Sequence, residues 1–407
     1  MALPIQPYTI AVPQSKLDLL QKKLELATFI QDDEVPMANS WDYGTPVSDI
    51  KRLVAHWKNG FDWRAQEKKM NQWPQFSTTI NVEGHGDLKI HFLHQRSNKP
   101  GSIPLLFCHG WPGSFLEVTK MLPTLTNPKD GPSFHVVAPS LPNFGFSEGP
   151  SKAGFGIAQY AETLNKLMIK LGYNKYVTQG GDWGYAITRL IGFNHHGNCI
   201  ASHLNMIRAN PPTMSQPLEY LKYLMPRTKQ ENEWLARSEW FLKQDFGYNV
   251  EQSTRPATIG AAFADSPVAL LTWIYEKLHS WTDNYPWTDD EILTWISIYQ
   301  FSTAGPAAAA RIYYEAQYTH PYPRQDPRLF DYLGQVKLGL SYFPKDLLIV
   351  PQCYGRTLGP VVFEAVHEDG GHFASWERPK ELAEDLRKMF AKDGGAKDVV
   401  KVFSKGS

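Results

Sequence analysis

The chain is poor in cysteine and has no net charge, and each shortage excludes a class of protein. Its three cysteines, Cys108, Cys199 and Cys353, lie far apart in 407 residues and form neither a CxxC pair nor a Cys/His metal pattern. A disulfide framework or a zinc site is therefore not expected, and the thiols should be buried and reduced. The 41 basic and 41 acidic side chains cancel, which argues against a nucleic-acid partner because such binding needs clustered Lys and Arg.

Long hydrophobic runs are also missing. No uninterrupted apolar stretch approaches the roughly 18 residues that a membrane-spanning helix needs, and the N-terminus lacks the charged start of a signal peptide. We therefore expect a soluble, cytoplasmic protein with no membrane partner. Hydrophobic residues still make up 42% of the chain, enough for a large core in one domain with insertions or in two domains. A homodimer stays open, since an apolar dimer surface and a core look alike in sequence.

Apolar periodicity divides the chain into a peripheral segment, a core in two pieces and an inserted helical block. Residues 1–95 are predicted to form a meander that wraps the core. Residues 96–209 and 328–407 alternate strands and helices, which indicates a mostly parallel sheet with helices on both faces. Residues 210–327 are almost entirely helical by pattern and suggest a lid over the carboxyl ends of the strands, where open α/β sheets bind ligands. The predicted strands cover residues 76–82, 88–94, 104–108, 135–139, 176–179, 199–206, 347–351 and 361–367.

The segment Gly180-Gly181-Asp182-Trp183-Gly184 puts a carboxylate between a predicted strand and a predicted helix. A sharp strand-to-helix turn needs small neighbours, because its central residue takes a strained backbone conformation. An aspartate can attack an sp³ carbon and leave an ester that water cleaves, whereas a serine would leave a stable ether. Asp182 is therefore predicted to be a covalent nucleophile, with simple capping of the helix as the alternative. A rival G-x-S-x-G match around Ser147 lies in a proline-flanked loop, which does not suit a nucleophile turn.

The segment His109-Gly110-Trp111-Pro112-Gly113 follows a short apolar strand and should form a tight loop beside the nucleophile. Its predicted role is to supply the backbone N–H of Trp111, together with that of Trp183, to the oxyanion that forms when water attacks the ester. His109 is expected to orient this loop rather than to act as a base.

A histidine in a glycine loop near the C-terminus, Gly370-Gly371-His372-Phe373, follows the last predicted strand. Cleaving an ester on aspartate needs a general base, so His372 is predicted to activate water. Asp346, at the mouth of the strand predicted at 347–351, is the favoured acid that orients this histidine. The alternatives for the acid are Glu364, Glu368 and Asp369.

Taken together, HGWPGS, GGDWGY, the F-P-x-D segment and GGHFASWERP resemble the microsomal-type epoxide hydrolases, especially their soluble fungal members. The resemblance covers nearly the whole chain, including residues 60–64 and 254–256. It implies an α/β-hydrolase fold and hydrolysis of a small apolar epoxide to a vicinal diol, without metal or cofactor, through an ester on Asp182. The Asp/His/acid set alone would also suit a haloalkane or haloacid dehalogenase. A non-catalytic ligand-binding member of the fold is the remaining alternative.

The resemblance further implies two lid tyrosines that hydrogen-bond the epoxide oxygen and protonate the leaving alkoxide, a step that a halide does not need. The pattern G-Y-x-x-x-Q-x-T-[KR]-P matches residues 247–256 and points to Tyr248. The pattern R-x-Y-x-E matches residues 311–315 and points to Tyr313, with Tyr314 as its rival.

The sequence departs from the family at the orienting acid, where several relatives carry Glu in place of Asp346. The mammalian members carry an N-terminal membrane anchor, and because no such segment is evident here we expect a soluble protein. An apolar pocket for an aryl or alkyl epoxide is expected from the aromatic residues of the lid, namely Trp234, Trp240, Phe241 and Trp273. Detoxification or the breakdown of aromatic hydrocarbons would fit such a substrate, while a biosynthetic role stays open.

Overall fold

Nine strands form one sheet in the part of the chain that the computed structural model describes, residues 4–31, 34, 39–319 and 326–404. The strands are β1 (Gln6–Pro7), β2 (Gln75–Val82), β3 (Gly86–Gln95), β4 (Ile103–Cys108), β5 (Phe134–Pro139), β6 (Tyr176–Gly180), β7 (Cys199–Leu204), β8 (Lys337–Tyr342) and β9 (Val361–Val366). Their order across the sheet is β1-β2-β3-β5-β4-β6-β7-β8-β9. Pairing is antiparallel from β1 to β5 and parallel from β5 through β4 to β9. The mostly parallel sheet is as predicted.

Helices connect the strands and form the inserted block. They are α1 (Gln14–Glu25), α2 (Val47–Asn59), α3 (Trp63–Met70), α4 (Leu122–Thr126), α5 (Ile157–Lys170), α6 (Trp183–His195), α7 (Pro217–Tyr223), α8 (Lys229–Trp240), α9 (Gly247–Thr254), α10 (Pro256–Asp265), α11 (Pro267–Ser280), α12 (Asp289–Gln300), α13 (Arg311–Tyr318), α14 (Gln352–Gly355), α15 (Ala374–Glu377), α16 (Pro379–Met389) and α17 (Lys397–Ser404). Short 3₁₀ turns cover Trp41–Tyr43, Phe115–Val118, Ala308–Ala310, Pro327–Phe330 and Arg356–Leu358, and a π-helical turn covers Phe241–Asp245.

Helices α7 to α13 lie between β7 and β8 in the chain, and they form the lid. Local signals set their starts: Thr228 and Thr288 form capping boxes at α8 and α12, and a proline begins α7, α10 and α11. Helices α9 and α13 contact each other, which brings together two lid segments that are far apart in the sequence. No single described helix is long and apolar enough to cross a membrane, although α10 and α11 meet that test when joined across their 116° bend.

The strand predicted at residues 347–351 is wrong, because the eighth strand is β8, at Lys337–Tyr342. The run Leu347-Leu348-Ile349-Val350 is apolar since it packs against the lid, not because it pairs in the sheet. Leu347 and Ile349 are buried, and the Ile349 N–H donates to Ser238 Oγ of α8 at 2.8 Å. Asp346 therefore lies in a turn that follows the carboxyl end of β8, whereas the prediction placed it directly before a strand.

The meander predicted around residues 63–73 contains a regular helix, α3. Asp62 caps it by accepting a hydrogen bond from the Ala65 N–H at 3.1 Å, the usual role of Asp at a helix start. The buried face of α3 carries only Trp63, Gln66, Glu67 and Met70. Because Gln66 and Glu67 are polar, the spacing of apolar residues alone does not reveal the helical period.

Candidate active site

Asp182 occupies the turn between β6 and α6 with backbone angles φ 52° and ψ −127°. A positive φ is rare for a residue with a side chain and costs about 1–3 kcal/mol. The turn requires glycine at position 184, because a Cβ there would overlap the carbonyl oxygen of Cys108 in β4. The Asp182 carboxylate makes no capping hydrogen bond to α6, so the capping alternative does not describe it. Its Oδ1 instead accepts a hydrogen bond from the Trp111 N–H at 2.8 Å.

The loop that carries Trp111 follows β4 and passes directly over Asp182. A Cβ at Gly110 would overlap Asp182 Oδ1, so only glycine permits this approach. Two lid side chains hold the far end of the loop: Trp295 Nε1 donates to the Pro112 carbonyl, and the Tyr299 hydroxyl donates to the Gly113 carbonyl at 2.6 Å. The His109 ring hydrogen-bonds the Gly110 carbonyl and the Leu141 N–H and packs edge-on against Phe144 at 5.4 Å, which fits the expectation that it orients this loop.

His372 lies between two carboxylates. Its Nδ1 is 2.8 Å from Asp346 Oδ1, and its Nε2 is 3.7 Å from Asp182 Oδ2, too far for a direct hydrogen bond. Burial by itself lowers the pKa of His372, but the hydrogen bond and charge of Asp346 and the charge of Asp182 outweigh it and leave the pKa raised. Burial raises the pKa of Asp182, while His372 and the N–H groups of Trp111 and Trp183 oppose that rise. The backbone donors thus favour negative charge on the very oxygen atoms where an oxyanion would form.

The rejected candidates have other partners. Glu364 pairs with Arg356 at 2.6 Å and Asp369 with Arg378 at 2.8 Å, while Glu368 is exposed. Buried Ser147 donates to the Ser140 carbonyl at 2.7 Å and accepts from the His91 N–H at 2.9 Å, within the core.

The two predicted tyrosines meet above Asp182. The Tyr248 ring, on α9, and the Tyr313 ring, on α13, are 5.8 Å apart at 84°. Tyr248 stacks on Trp111 at 5.1 Å, and Tyr313 meets Trp183 edge-on at 4.9 Å. Tyr248 and Tyr313 are 6% and 3% exposed, whereas the rival Tyr314 is 39% exposed and faces away. Burial, followed by nearby negative charge, raises the pKa of both buried phenols well above 10, so both keep their protons near neutral pH.

A pocket of about 100 Å³ separates Asp182 from the two tyrosines. It is lined by Asp182, Trp183, Met206, Arg208, Phe241, Leu242, Phe246, Tyr248, Asn249, Tyr313, Leu347 and Leu348. Of the four lid aromatics proposed to line it, only Phe241 does so. Trp234 stacks on Tyr342, Trp240 faces Arg237 and Trp273 packs on Phe263.

The sequence reasoning missed Arg208, Asn249 and Glu117. Arg208 had a weak signal, since it follows the carboxyl end of β7 in the segment Asn205-Met206-Ile207-Arg208. Within the described residues, no cluster of three or more His, Cys, Asp or Glu side chains could hold a metal ion.

Comparison with known proteins identifies the family of this chain. Residues 5–118 match the family model described as epoxide hydrolase N terminus, and residues 103–230 match the alpha/beta hydrolase fold. A Stigmatella aurantiaca protein named as a candidate epoxide hydrolase is 36% identical over 95% of this chain and 84% of its own length. Epoxide hydrolase 1 of Sus scrofa is 31% identical over 95% of this chain and 88% of its own. The chain belongs to the epoxide hydrolase family.

Solved structures of the family share its fold. Aspergillus niger epoxide hydrolase superposes with a TM-score of 0.78 at 34% identity, over 95% of each chain. The juvenile hormone epoxide hydrolase of Bombyx mori superposes with a TM-score of 0.83 at 27% identity, over 99% of this chain and 95% of its own. The predicted α/β-hydrolase fold of this epoxide hydrolase is thereby confirmed.

Proposed function

We propose that this epoxide hydrolase opens a small apolar epoxide to a vicinal diol through a covalent hydroxyalkyl ester on Asp182. The observation that carries the proposal is the Asp182 carboxylate, only 14% exposed, facing two buried phenols, Tyr248 and Tyr313, across one pocket. A phenol whose pKa is raised stays protonated near neutral pH, so it has a proton to give to the leaving alkoxide. Asp182 lies on a strained turn, and its Oδ2 is 3.7 Å from His372 Nε2. This arrangement suits a covalent ester on Asp182 that is later hydrolysed with the help of a base.

The chemistry proceeds in two half-reactions. In the first, Tyr248 and Tyr313 hydrogen-bond the oxirane oxygen while Asp182 attacks a ring carbon, and a phenol proton passes to the alkoxide. In the second, His372, oriented by Asp346, takes a proton from a water molecule that attacks the ester carbonyl carbon. The N–H groups of Trp111 and Trp183 stabilise the oxyanion, and collapse of the intermediate releases the diol.

The pocket lining supports an apolar substrate. Aliphatic and aromatic side chains form most of its wall, including Met206, Phe241, Leu242 and Phe246. A volume of about 100 Å³ beneath the lid suits a compact aryl or alkyl epoxide such as styrene oxide, and a larger substrate would need the lid to move.

A single turnover of styrene oxide in heavy-oxygen water, with enzyme in excess, tests the ester route. Heavy oxygen should enter the peptide that contains Asp182, and the first diol should carry only light oxygen. Diol labelled at once, with an unlabelled peptide, would show direct attack by water and overturn the role of Asp182. Absence of diol from a panel of epoxides, together with chloride release from a haloalkane, would favour the dehalogenase alternative.

Two further proposals concern the cellular location and the oligomeric state of the enzyme. Three unpaired cysteines support a reducing, cytoplasmic location, which cell fractionation tests. Exposed apolar side chains on and beside α7, among them Leu218, Leu221 and Leu224 at 60–74% exposure, support a homodimer. Sedimentation over a range of concentrations would show a monomer throughout if that is wrong.

A further inference from the structure

A second, smaller cavity touches Asp182 but contains neither lid tyrosine. Its volume is about 20 Å³, which is room for one water molecule. The polar side chains that line it are Asp182, His372, Glu117, His109, Gln179, Asn205 and Ser375. The two cavities thus share the nucleophile, and only the small one also contains the general base.

Glu117 is the least expected member of this lining, because it is a carboxylate at 9% exposure. Its Oε1 accepts a hydrogen bond from the Ser114 N–H at 3.2 Å, and its Oε2 accepts one from the Ser375 hydroxyl at 2.9 Å. A Cβ at Gly113 would overlap Oε1, so the glycine of the loop leaves a passage for this carboxylate. Burial raises the pKa of Glu117 to about 7, against the opposing effects of Ser375 and His372.

A purely structural role accounts for only part of this arrangement. Glu117 completes a capping box with Ser114 at the 3₁₀ turn Phe115–Val118, a role that needs one carboxylate oxygen and that exposed glutamates fill readily. It does not explain why the other oxygen is held by Ser375, three residues after His372, at the wall of a cavity sized for one water. Burying a carboxylate is costly unless its surroundings compensate for the lost water.

We propose that Glu117, held by Ser375, anchors the hydrolytic water in this small cavity, between His372 Nε2 and the Asp182 carbonyl carbon. The inference rests on the proposed ester mechanism and concerns its second half-reaction alone. In this arrangement the epoxide reaches Asp182 from the pocket of about 100 Å³, and the hydrolytic water reaches it from the cavity of about 20 Å³.

The step balances without any added reactant. The water oxygen bonds to the Asp182 carbonyl carbon, one water proton passes to His372 Nε2, and the other hydrogen donates a hydrogen bond to Glu117. Collapse breaks the bond to the diol oxygen, which leaves with the proton from His372. The proton left on the Asp182 carboxyl returns, by way of solvent, to the tyrosine that protonated the alkoxide in the first half-reaction.

Glu117→Gln tests the proposal, because glutamine keeps an acceptor for the Ser114 N–H and fills the same volume but loses the charge that holds the water. Rapid-quench mass spectrometry of the Asp182 peptide during reaction with styrene oxide gives the rates of ester formation and ester hydrolysis separately. We expect hydrolysis to slow by about 10- to 100-fold, as for a lost hydrogen bond to a charged group. Ester formation should stay within about 3-fold of wild type, so the ester accumulates and KM falls together with kcat.

Two companion variants separate anchoring from folding. Ser375→Ala removes the hydroxyl that holds Glu117 and should slow hydrolysis in the same direction but by less. Ser114→Ala removes the other half of the capping box and should lower Tm while leaving the ratio of the two rates within about 2-fold. Equal slowing of both half-reactions in Glu117→Gln, or hydrolysis within about 2-fold of wild type, would overturn the inference. Absence of any ester in the wild-type enzyme would instead refute the proposed function.

Discussion

Replacing each lid tyrosine by phenylalanine is the most direct test of how the oxirane is activated. Tyr248→Phe and Tyr313→Phe each delete one of two donors to the developing alkoxide and keep the ring that contacts Trp111 or Trp183. Removing one preorganised donor to a developing oxyanion costs about 3–4 kcal/mol, or roughly 100- to 1000-fold in rate. Since the second phenol stays within 5.8 Å, ring to ring, we expect the lower end, about 100-fold, for each single variant.

The structure also predicts which measurements should stay unchanged. The buried Tyr313 hydroxyl lacks a well-formed hydrogen bond to any described residue, so its removal leaves no partner unsatisfied and Tm should hardly move. Hydrolysis of the ester, which uses His372 and not the phenols, should keep its wild-type rate once ester has formed. Loss in the double variant should exceed the product of the two single losses, because no donor then remains.

Rapid-quench measurement of ester formation on styrene oxide is the assay, and Tyr314→Phe is the matched control from the same helix. Tyr314 is 39% exposed, so its variant should form ester at the wild-type rate. Ester formation within about 3-fold of wild type in Tyr313→Phe, or an equal loss in Tyr314→Phe, would refute the assignment of these phenols.

Three further predictions follow from the core of the site. Asp346 raises the pKa of His372, so Asp346→Asn should move the acidic limb of the pH–rate profile for ester hydrolysis to lower pH, besides slowing that step. A limb that stays in place or moves upward would contradict the pairing. Gly184→Ala forces a Cβ onto the Cys108 carbonyl and should lower the free energy of unfolding by about 1–3 kcal/mol or more in urea titrations, with loss of activity. Ser147→Ala should have a kcat/KM for epoxide within about 2-fold of wild type. A folded but inactive Ser147→Ala variant would instead support Ser147 as the nucleophile.

The correct fold predictions came from patterns that one segment carries by itself. The short apolar run of β4, the glycines around Asp182 and the glycine loop at His372 are local signals, readable because steric rules act on neighbouring residues. The wrong strand at residues 347–351 shows the limit of such signals. An apolar run indicates that a segment is buried. Only the tertiary structure decides whether the segment packs against a lid helix or pairs with a neighbouring strand.

Tyr313 and Tyr314 illustrate the same limit within the site. Both lie in α13, and their side chains differ by about 100° around the helix axis, so the contact of α13 with α9 decides which of them reaches Tyr248. Glu117 reads as an ordinary capping-box residue, and nothing local reveals that Ser375, 258 positions later, holds its second oxygen at a cavity beside the nucleophile.

The sequence by itself determined the nucleophile turn, the loop of backbone donors, the histidine loop and the lid as separate pieces, because each depends on steric and hydrogen-bonding rules within a few residues. Only the tertiary structure decided the distances between Asp182, His372 and the phenols, the choice between adjacent tyrosines, and the division of the site into a pocket for substrate and a cavity for water. Those features depend on contacts between segments that are more than 50 residues apart, such as Trp111 with Asp182 at a separation of 71, and packing of the whole domain sets them.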